Sequence, residues 1–340
     1  MLNIGVIGVG EIGKMHIEKI TSRISNARII RINDTNESYA ISVAKKYGAE
    51  IEKDPHALIA ANDVDAVIIT CWDQYHEEFT LAAINEKKPV FCEKPLSNTA
   101  DACMRIMNAE MESGKRVLTV GFMRRFDKSY ISLKETIESG EIGEPLLIHA
   151  QHRNVAPLGD LRFTTEMSIS NSLAHEFDVT RWLINEEYES IQFIEPKRTR
   201  NVNYDYSDPQ MAILRTKSGV HIDFEVFLNA RYGYDIQCEV VGEEGTARLQ
   251  DSNRSVTLRR NGLCSQSVYS NWKERFEEAY DNELRQWVDG VLAGEAIGPN
   301  AWDGYVAASV AESCIKSRLE RRTVKLDYIN CPKFYEKSKK

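Results

Sequence analysis

The sequence predicts a two-domain α/β chain. A doubly wound parallel sheet comes first, followed by an α+β domain on an open, mostly antiparallel sheet. Three observations predict it. Up to residue 121, apolar strand runs alternate with amphipathic helical stretches. A glycine-rich turn, Gly8-Val9-Gly10-Glu11-Ile12-Gly13, joins the first strand to the first helix. Past residue 121 the rhythm changes to strands joined by short turns. The 340 residues exceed what one core usually holds, and we place the boundary between domains 1–121 and 122–340.

Leu2 to Ile7 reads as a buried parallel strand and Glu11 to Ile20 as a helix with Ile12, Met15 and Ile20 near one face. In a turn between such elements Gly8 makes the bend, Gly10 lets backbone approach a pyrophosphate, and Gly13 lets helix pack on strand. The backbone N–H groups of Glu11 and Ile12 then open the helix toward phosphate. Ala27 to Asn33 is the second strand, and Asp34 at its end suits the adenosine ribose diol. Together these features predict a Rossmann dinucleotide site. The Asp34 carboxylate repels a 2′-phosphate, which favours NAD over NADP. Glu37 to Tyr47 and Pro55 to Ala61 read as helices, Ala66 to Cys71 as a strand, and Tyr75 to Glu86 as a helix. Val90 to Cys92, Ala100 to Ser113 and Arg116 to Gly121 continue as strand, helix and strand. The ligand crevice of such a sheet lies at the carboxyl ends of its strands, where Gly8, Asp34, Trp72, Glu93 and Lys94 emerge. His76 follows a strand end and is placed beside the nicotinamide.

In the second domain Leu146 to His152, Ser190 to Glu195, Gln210 to Thr216, Val220 to Phe227 and Ile236 to Val241 are strand-like. Lys217-Ser218-Gly219 closes a hairpin between two of them. Helices are expected at Ser170 to Leu183, Trp272 to Val291 and Asp303 to Leu319. A sheet of this kind often leaves one face open, and an open apolar face invites oligomerisation.

Composition excludes several classes. A net charge of −8 repels nucleic acid and anionic membrane. No apolar run approaches the roughly 20 residues that span a bilayer, and the first strand begins too early for a signal peptide. Seven cysteines without a C-x-x-C pair read as reduced thiols of a cytoplasmic protein. No histidine pair has metal-ligand spacing, so no metal is expected.

Two constellations carry chemistry. Cys92-Glu93-Lys94-Pro95 ends a buried strand, so the Lys94 ammonium is aimed at the crevice, where it suits an alkoxide. A surface salt bridge from Glu93 to an arginine is the plainer alternative. Asn171, His175 and Asp178 fall on one side of a single helix at spacings of four and three. A histidine near neutral pKa suits proton exchange with an alcohol, and the same histidine could merely buttress helix packing. Arg124 and Arg125 are candidates to steer a polar substrate or to be solvated. His152, Asn154 and Tyr234 suit hydrogen bonds to a polyol, or are polar residues of the sheet.

These motifs, in this order, resemble the glucose–fructose oxidoreductase/inositol dehydrogenase family over nearly the whole chain. The resemblance rests on the glycine turn, Val90 to Leu96, Val120 to Arg125, His175 to Asp178, Tyr232 to Glu239 and Trp302 to Tyr305. The arginine pair and the tyrosine segment point to its inositol dehydrogenases. The resemblance implies oxidation of myo-inositol to 2-keto-myo-inositol by NAD, with a cyclic polyol or sugar as the only other small-molecule partner. It implies Lys94 and His175 as catalytic residues, with Arg124, His152, Asn154, Asp178 and Tyr234 around the polyol. It also implies a homotetramer packed through the open sheets. One position departs. The family carries aspartate four residues before the histidine, and here it is Asn171. An amide cannot supply charge and can present the wrong group to the ring. Comparable loss in serine proteases costs roughly 10⁴ in rate. The alternatives are a different inositol isomer or sugar as substrate, or an NAD-binding sensor with impaired catalysis.

Overall fold

The computed structural model describes residues 1–155, 163–202, 206–250 and 253–336. By contact the chain forms two compact units. One contains residues 1–123, 280–309 and 328–340; the other contains 124–279 and 310–327. The sequence reading cuts the chain once, at 121/122, whereas these units interleave. The reason is the apolar face of the helix Glu277–Ala293, whose Leu284, Trp287 and Val288 bury in the core formed by Leu2, Ile4, Val6, Ile20 and Phe91. Nothing near residue 284 advertises so distant a partner.

The first unit is a six-stranded parallel sheet in the order β3-β2-β1-β4-β5-β6. Its strands are β1 (Leu2–Ile7), β2 (Ala27–Asn33), β3 (Glu50–Ile51), β4 (Ala66–Ile69), β5 (Val90–Glu93) and β6 (Leu118–Gly121). This is the doubly wound Rossmann topology, with its switch point between β1 and β4. β4 and β5 are buried at every position, as central parallel strands covered on both faces must be. Helix ends obey local chemistry. Asn36 caps Glu37–Tyr47 by accepting from the Tyr39 N–H, and left-handed Gly48 closes it. Thr99 and Gly114 do the same for Ala100–Ser113. The first helix, Glu11–Arg23, corrects one expectation. Its buried positions are Gly13, His16, Ile17, Lys19 and Ile20, while Ile12 and Met15 are only partly covered. The buried face is therefore rotated and carries a histidine. Tyr335 closes this unit: its hydroxyl lies 2.7 Å from the buried Glu110 carboxylate, which accepts from the N–H groups of Val117 and Leu118.

The second unit holds a seven-stranded sheet in the order β12-β11-β7-β10-β9-β8-β15. Here β7 is Pro145–Arg153, β8 Tyr188–Ile194, β9 Gln210–Thr216 and β10 His221–Phe227. β11 is Asp235–Gly242, β12 Thr246–Arg248 and β15 Val324–Lys325. In this sheet, among the described residues, only β7 and β10 pair in parallel. A separate ribbon pairs β13 (Asn253–Arg260) with β14 (Leu263–Val268). One face of the large sheet is buried through Ile148, Ala212, Phe224, Ile236 and Cys238. The outer face is mixed, with polar side chains beside the exposed or half-buried Leu147, Met211 and Ile213. That face lines a shallow groove with His149, Gln151, Asp223, Glu225, Asp235 and Gln237. His149 Nδ1 lies 2.5 Å from Asp223, and Gln151 donates to Asp235 at 2.9 Å.

The helix expected over Ser170 to Leu183 is also corrected. A turn at Thr165–Met167 leads into a π-helical turn, Ser168–Ser172, and the regular helix runs only from Ala174 to Ile184. The Leu173 N–H bonds to the Ser168 carbonyl, five residues back, at 3.0 Å. The expected helix Trp272 to Val291 breaks at Phe276, between Trp272–Arg275 and Glu277–Ala293.

Candidate active site

In the first unit the strand ends assemble a nucleotide cradle. Gly8 has φ +89°, and the Thr70 hydroxyl donates to its carbonyl at 2.5 Å, which locks the turn. A Cβ on Gly13 would collide with that same carbonyl, whereas a Cβ on Gly10 would meet nothing within 4 Å. The space over Gly10 is therefore open to a ligand's backbone-hugging phosphates. Gly10 and Glu11 are exposed, Ile12 is half-buried, and no side chain caps the helix they begin. Asp34 accepts from the N–H groups of Val9 and Asn36, each at 2.8 Å, so its carboxylate is fixed beside the glycine turn. Open phosphate space, an uncapped helix start and a fixed carboxylate beyond it fit a dinucleotide without 2′-phosphate. Trp72, which follows β4, is 59% exposed. Sequence reasoning missed Thr70, a small polar residue ending an apolar strand.

Lys94 leaves the end of β5 through a turn braced by buried groups. Glu93 is buried; its Oε1 lies 2.7 Å from His16 Nε2, and its Oε2 accepts from the Lys94 N–H at 3.1 Å. The peptide between Lys94 and Pro95 is cis. His76 is also buried, with Nδ1 2.7 Å from the Pro95 carbonyl and Nε2 3.1 Å from the Cys71 carbonyl. Burial pulls the His76 pKa below its ordinary value, against the opposing pull of those carbonyls. Glu93 and His76, both expected on the cofactor, each place one polar atom on the turn that carries Lys94.

In the second unit Arg124, His152 and Glu176 meet out of solvent. Glu176 Oε1 accepts from the Arg124 guanidinium, its Oε2 lies 3.2 Å from His152 Nδ1, and Arg124 Nη2 lies 3.3 Å from that same nitrogen. Burial alone would lower the Arg124 pKa, but the Glu176 charge overrides it and raises it. Burial likewise favours a neutral Glu176, and Arg124 holds its carboxyl below the usual range instead. Tyr234 stands edge-on to His152, with ring centroids 6.0 Å apart, and burial pushes its phenol up to about 12. Arg125 grips Asp178 through two parallel bonds, one of them Nε to Oδ2 at 2.9 Å. His175 lies in the first turn of Ala174–Ile184 and is 8% exposed; Asn171 falls in the π turn before it. Asn154 follows β7, and its Oδ1 accepts from the Val155 N–H. Glu176 was not singled out from sequence. Its signal was present: an acid at an inward position of a helix has to find a buried cation.

Among the described residues no group of three or more His, Cys, Asp or Glu is arranged to hold a metal ion. Nor is any described helix long and apolar enough to cross a membrane.

Comparisons with known proteins align with this geometry. A family model for oxidoreductases with an NAD-binding Rossmann fold matches residues 2–122. The model for the C-terminal α/β domain of the same family matches residues 134–326. The chain is 48% identical to an inositol 2-dehydrogenase of Burkholderia vietnamiensis over 336 residues, covering 98% of this chain and 99% of that one. It is 46% identical to one of Klebsiella pneumoniae over 338 residues, 99% of each chain. Among solved structures, a myo-inositol dehydrogenase from Lactobacillus casei in complex with NAD(H) and myo-inositol superposes with a TM-score of 0.95. That protein is 35% identical, and the match covers 99% of this chain and 100% of it.

Proposed function

The chain belongs to the glucose–fructose oxidoreductase/inositol dehydrogenase family of NAD-binding oxidoreductases, and from that premise we propose that it is an inositol 2-dehydrogenase. The reaction is oxidation of myo-inositol to 2-keto-myo-inositol. The observation that carries this reading is 48% identity to inositol 2-dehydrogenases along 98% of the chain. NAD, when bound, supplies the hydride acceptor. The glycine turn, Glu11, Ile12, Asp34 and Trp72 hold it, while Glu93 and His76 hold the turn that carries Lys94.

His175 takes the proton of the reacting hydroxyl as the C–H bond breaks. Lys94 donates to the same oxygen and offsets the negative charge that develops there; in reverse it polarises the ketone. Arg124, His152, Asn154, Asp178 and Tyr234 orient the remaining hydroxyls. The buried carboxylates of Glu176 and Asp178 neutralise their arginine partners, so an uncharged polyol meets directed donors rather than a net field. Asn171 sits where an aspartate would stabilise protonated His175. The protein works as a cytoplasmic homotetramer that packs through the open face of the β7–β11 sheet.

The test is NADH formation across myo-inositol, scyllo-inositol and aldoses. Turnover on myo-inositol is expected to lead. Lys94→Ala should lower kcat by roughly 10²-fold or more, as loss of an oxyanion donor does, with NADH affinity nearly unchanged. Tight NADH binding without turnover on any member of the panel would replace the enzyme by a sensor. Light scattering that gives a monomer would remove the tetramer.

A further inference from the structure

We propose that His16 and His76 are positioning residues for Lys94: two buried histidines, from two helices, that clamp the β5 turn from opposite sides. The proposal rests on the reading of Lys94 as a catalytic residue. His16 belongs to the helix Glu11–Arg23 and is fully buried, against Phe91 and Tyr280. Glu93 is an acceptor when ionised, so the 2.7 Å contact makes His16 Nε2 the donor. The other oxygen of Glu93 accepts from the Lys94 N–H. One carboxylate therefore ties the helix of the nucleotide cradle to the peptide plane from which the lysine side chain departs. His76 grips the far side of the same turn through the Pro95 carbonyl.

Space is matched to this arrangement as well. Gly121 faces Glu93 across β5 and β6, and a Cβ there would stand 3.0 Å from the Glu93 carboxyl carbon and 3.1 Å from its Oε2. The carboxylate is thus confined on the strand side and bonded on the helix side. A buried acid with two bonds and little room is a stiff mount. Stiffness is what a donor needs when it must match an oxygen in the transition state but not in the ground state.

The experiment compares the parent protein with His16→Leu, His16→Gln, His76→Leu and Gly121→Ala. It records kcat and KM on myo-inositol, NADH affinity by fluorescence, thermal melting, and the acetylation rate of Lys94 relative to the other lysines by mass spectrometry. His16→Leu and His76→Leu should each lower kcat about tenfold to a hundredfold, with KM and NADH affinity within about threefold of parent and a changed Lys94 acetylation rate. His16→Gln, whose amide can still donate to Glu93, should recover most of the loss. Gly121→Ala displaces the carboxylate without removing its donor and should act in the same direction. It decides by the same criteria if His16→Leu does not fold. A kcat within about twofold of parent in His16→Leu overturns the proposal. So does a joint fall of kcat, NADH affinity and melting temperature that His16→Gln does not relieve, since that marks packing alone. If the parent turns over no inositol, the dehydrogenase reading fails, and acetylation decides: equal Lys94 rates in parent and His16→Leu overturn the clamp.

Discussion

Asp34 shows how one side chain sets cofactor choice. Its two oxygens are held by the backbone of Val9 and Asn36, so it cannot swing away from an added phosphate. NAD should therefore react much better than NADP. Asp34→Ser should narrow the gap, as paired saturation curves would show; a parent that prefers NADP would contradict the reading. Asn171 is the second decisive residue. Replacing it by aspartate places a charge one turn before His175. An adjacent anion raises an imidazole pKa, and a base must be neutral to accept a proton. Asn171→Asp should therefore raise kcat on myo-inositol and move the acid limb of the pH–rate profile to higher pH. A fall in kcat on the preferred substrate would instead make the asparagine a specificity element.

At the scale of elements, the buried Arg124–Glu176 pair links the start of the second unit to the helix Ala174–Ile184. Glu176 titrates below its ordinary 4.5 in the folded protein, Arg124 overriding the opposing effect of burial. A depressed acid stabilises the fold fully above the unfolded value and loses that contribution as pH falls through the folded one. Glu176→Gln leaves a buried guanidinium without its counter-charge, which costs about 3–5 kcal/mol at pH 7. Denaturant melts should show that deficit at pH 7 and a smaller one below pH 4; a constant gap would refute the account. Legibility also divides at this scale. Leu2–Ile7, Ala27–Asn33, Glu37–Tyr47 and Ala100–Ser113 match their expected bounds because strand hydropathy or caps such as Asn36, Gly48 and Thr99 mark both ends. The short strands Glu50–Ile51 and Val324–Lys325 carry no periodicity to read and exist only through their neighbours. The π turn at Ser168–Ser172 was equally hidden, since residue preferences do not distinguish a five-residue hydrogen bond from a four-residue one. The positions of Lys94 and Asp34 at strand ends were readable. The groups that brace their surroundings, His16 on Glu93 and Thr70 on the Gly8 carbonyl, were not, because they meet only across the folded sheet.

For the whole molecule, the interleaved units set what a fragment can do. Residues 1–123 contain every strand of the parallel sheet yet lack Leu284, Trp287 and Val288 of its core. Expressed alone, that fragment should be protease-sensitive, and adding residues 280–309 in trans should protect it. A fragment that melts cooperatively by itself would show the later helix to be dispensable. The same packing governs birth on the ribosome. At about 5–20 residues per second, the roughly 160 residues between β6 and Leu284 take on the order of ten to thirty seconds to make. Throughout that interval the nascent nucleotide-binding sheet carries an uncovered apolar patch where Trp287 will later lie. The second unit, whose segment 124–279 is complete before then, has its large sheet but for β15 already emerged. For this chain, order of synthesis and order of completion run opposite ways, and a chaperone that shields apolar surface has its longest opportunity on the half that was made first.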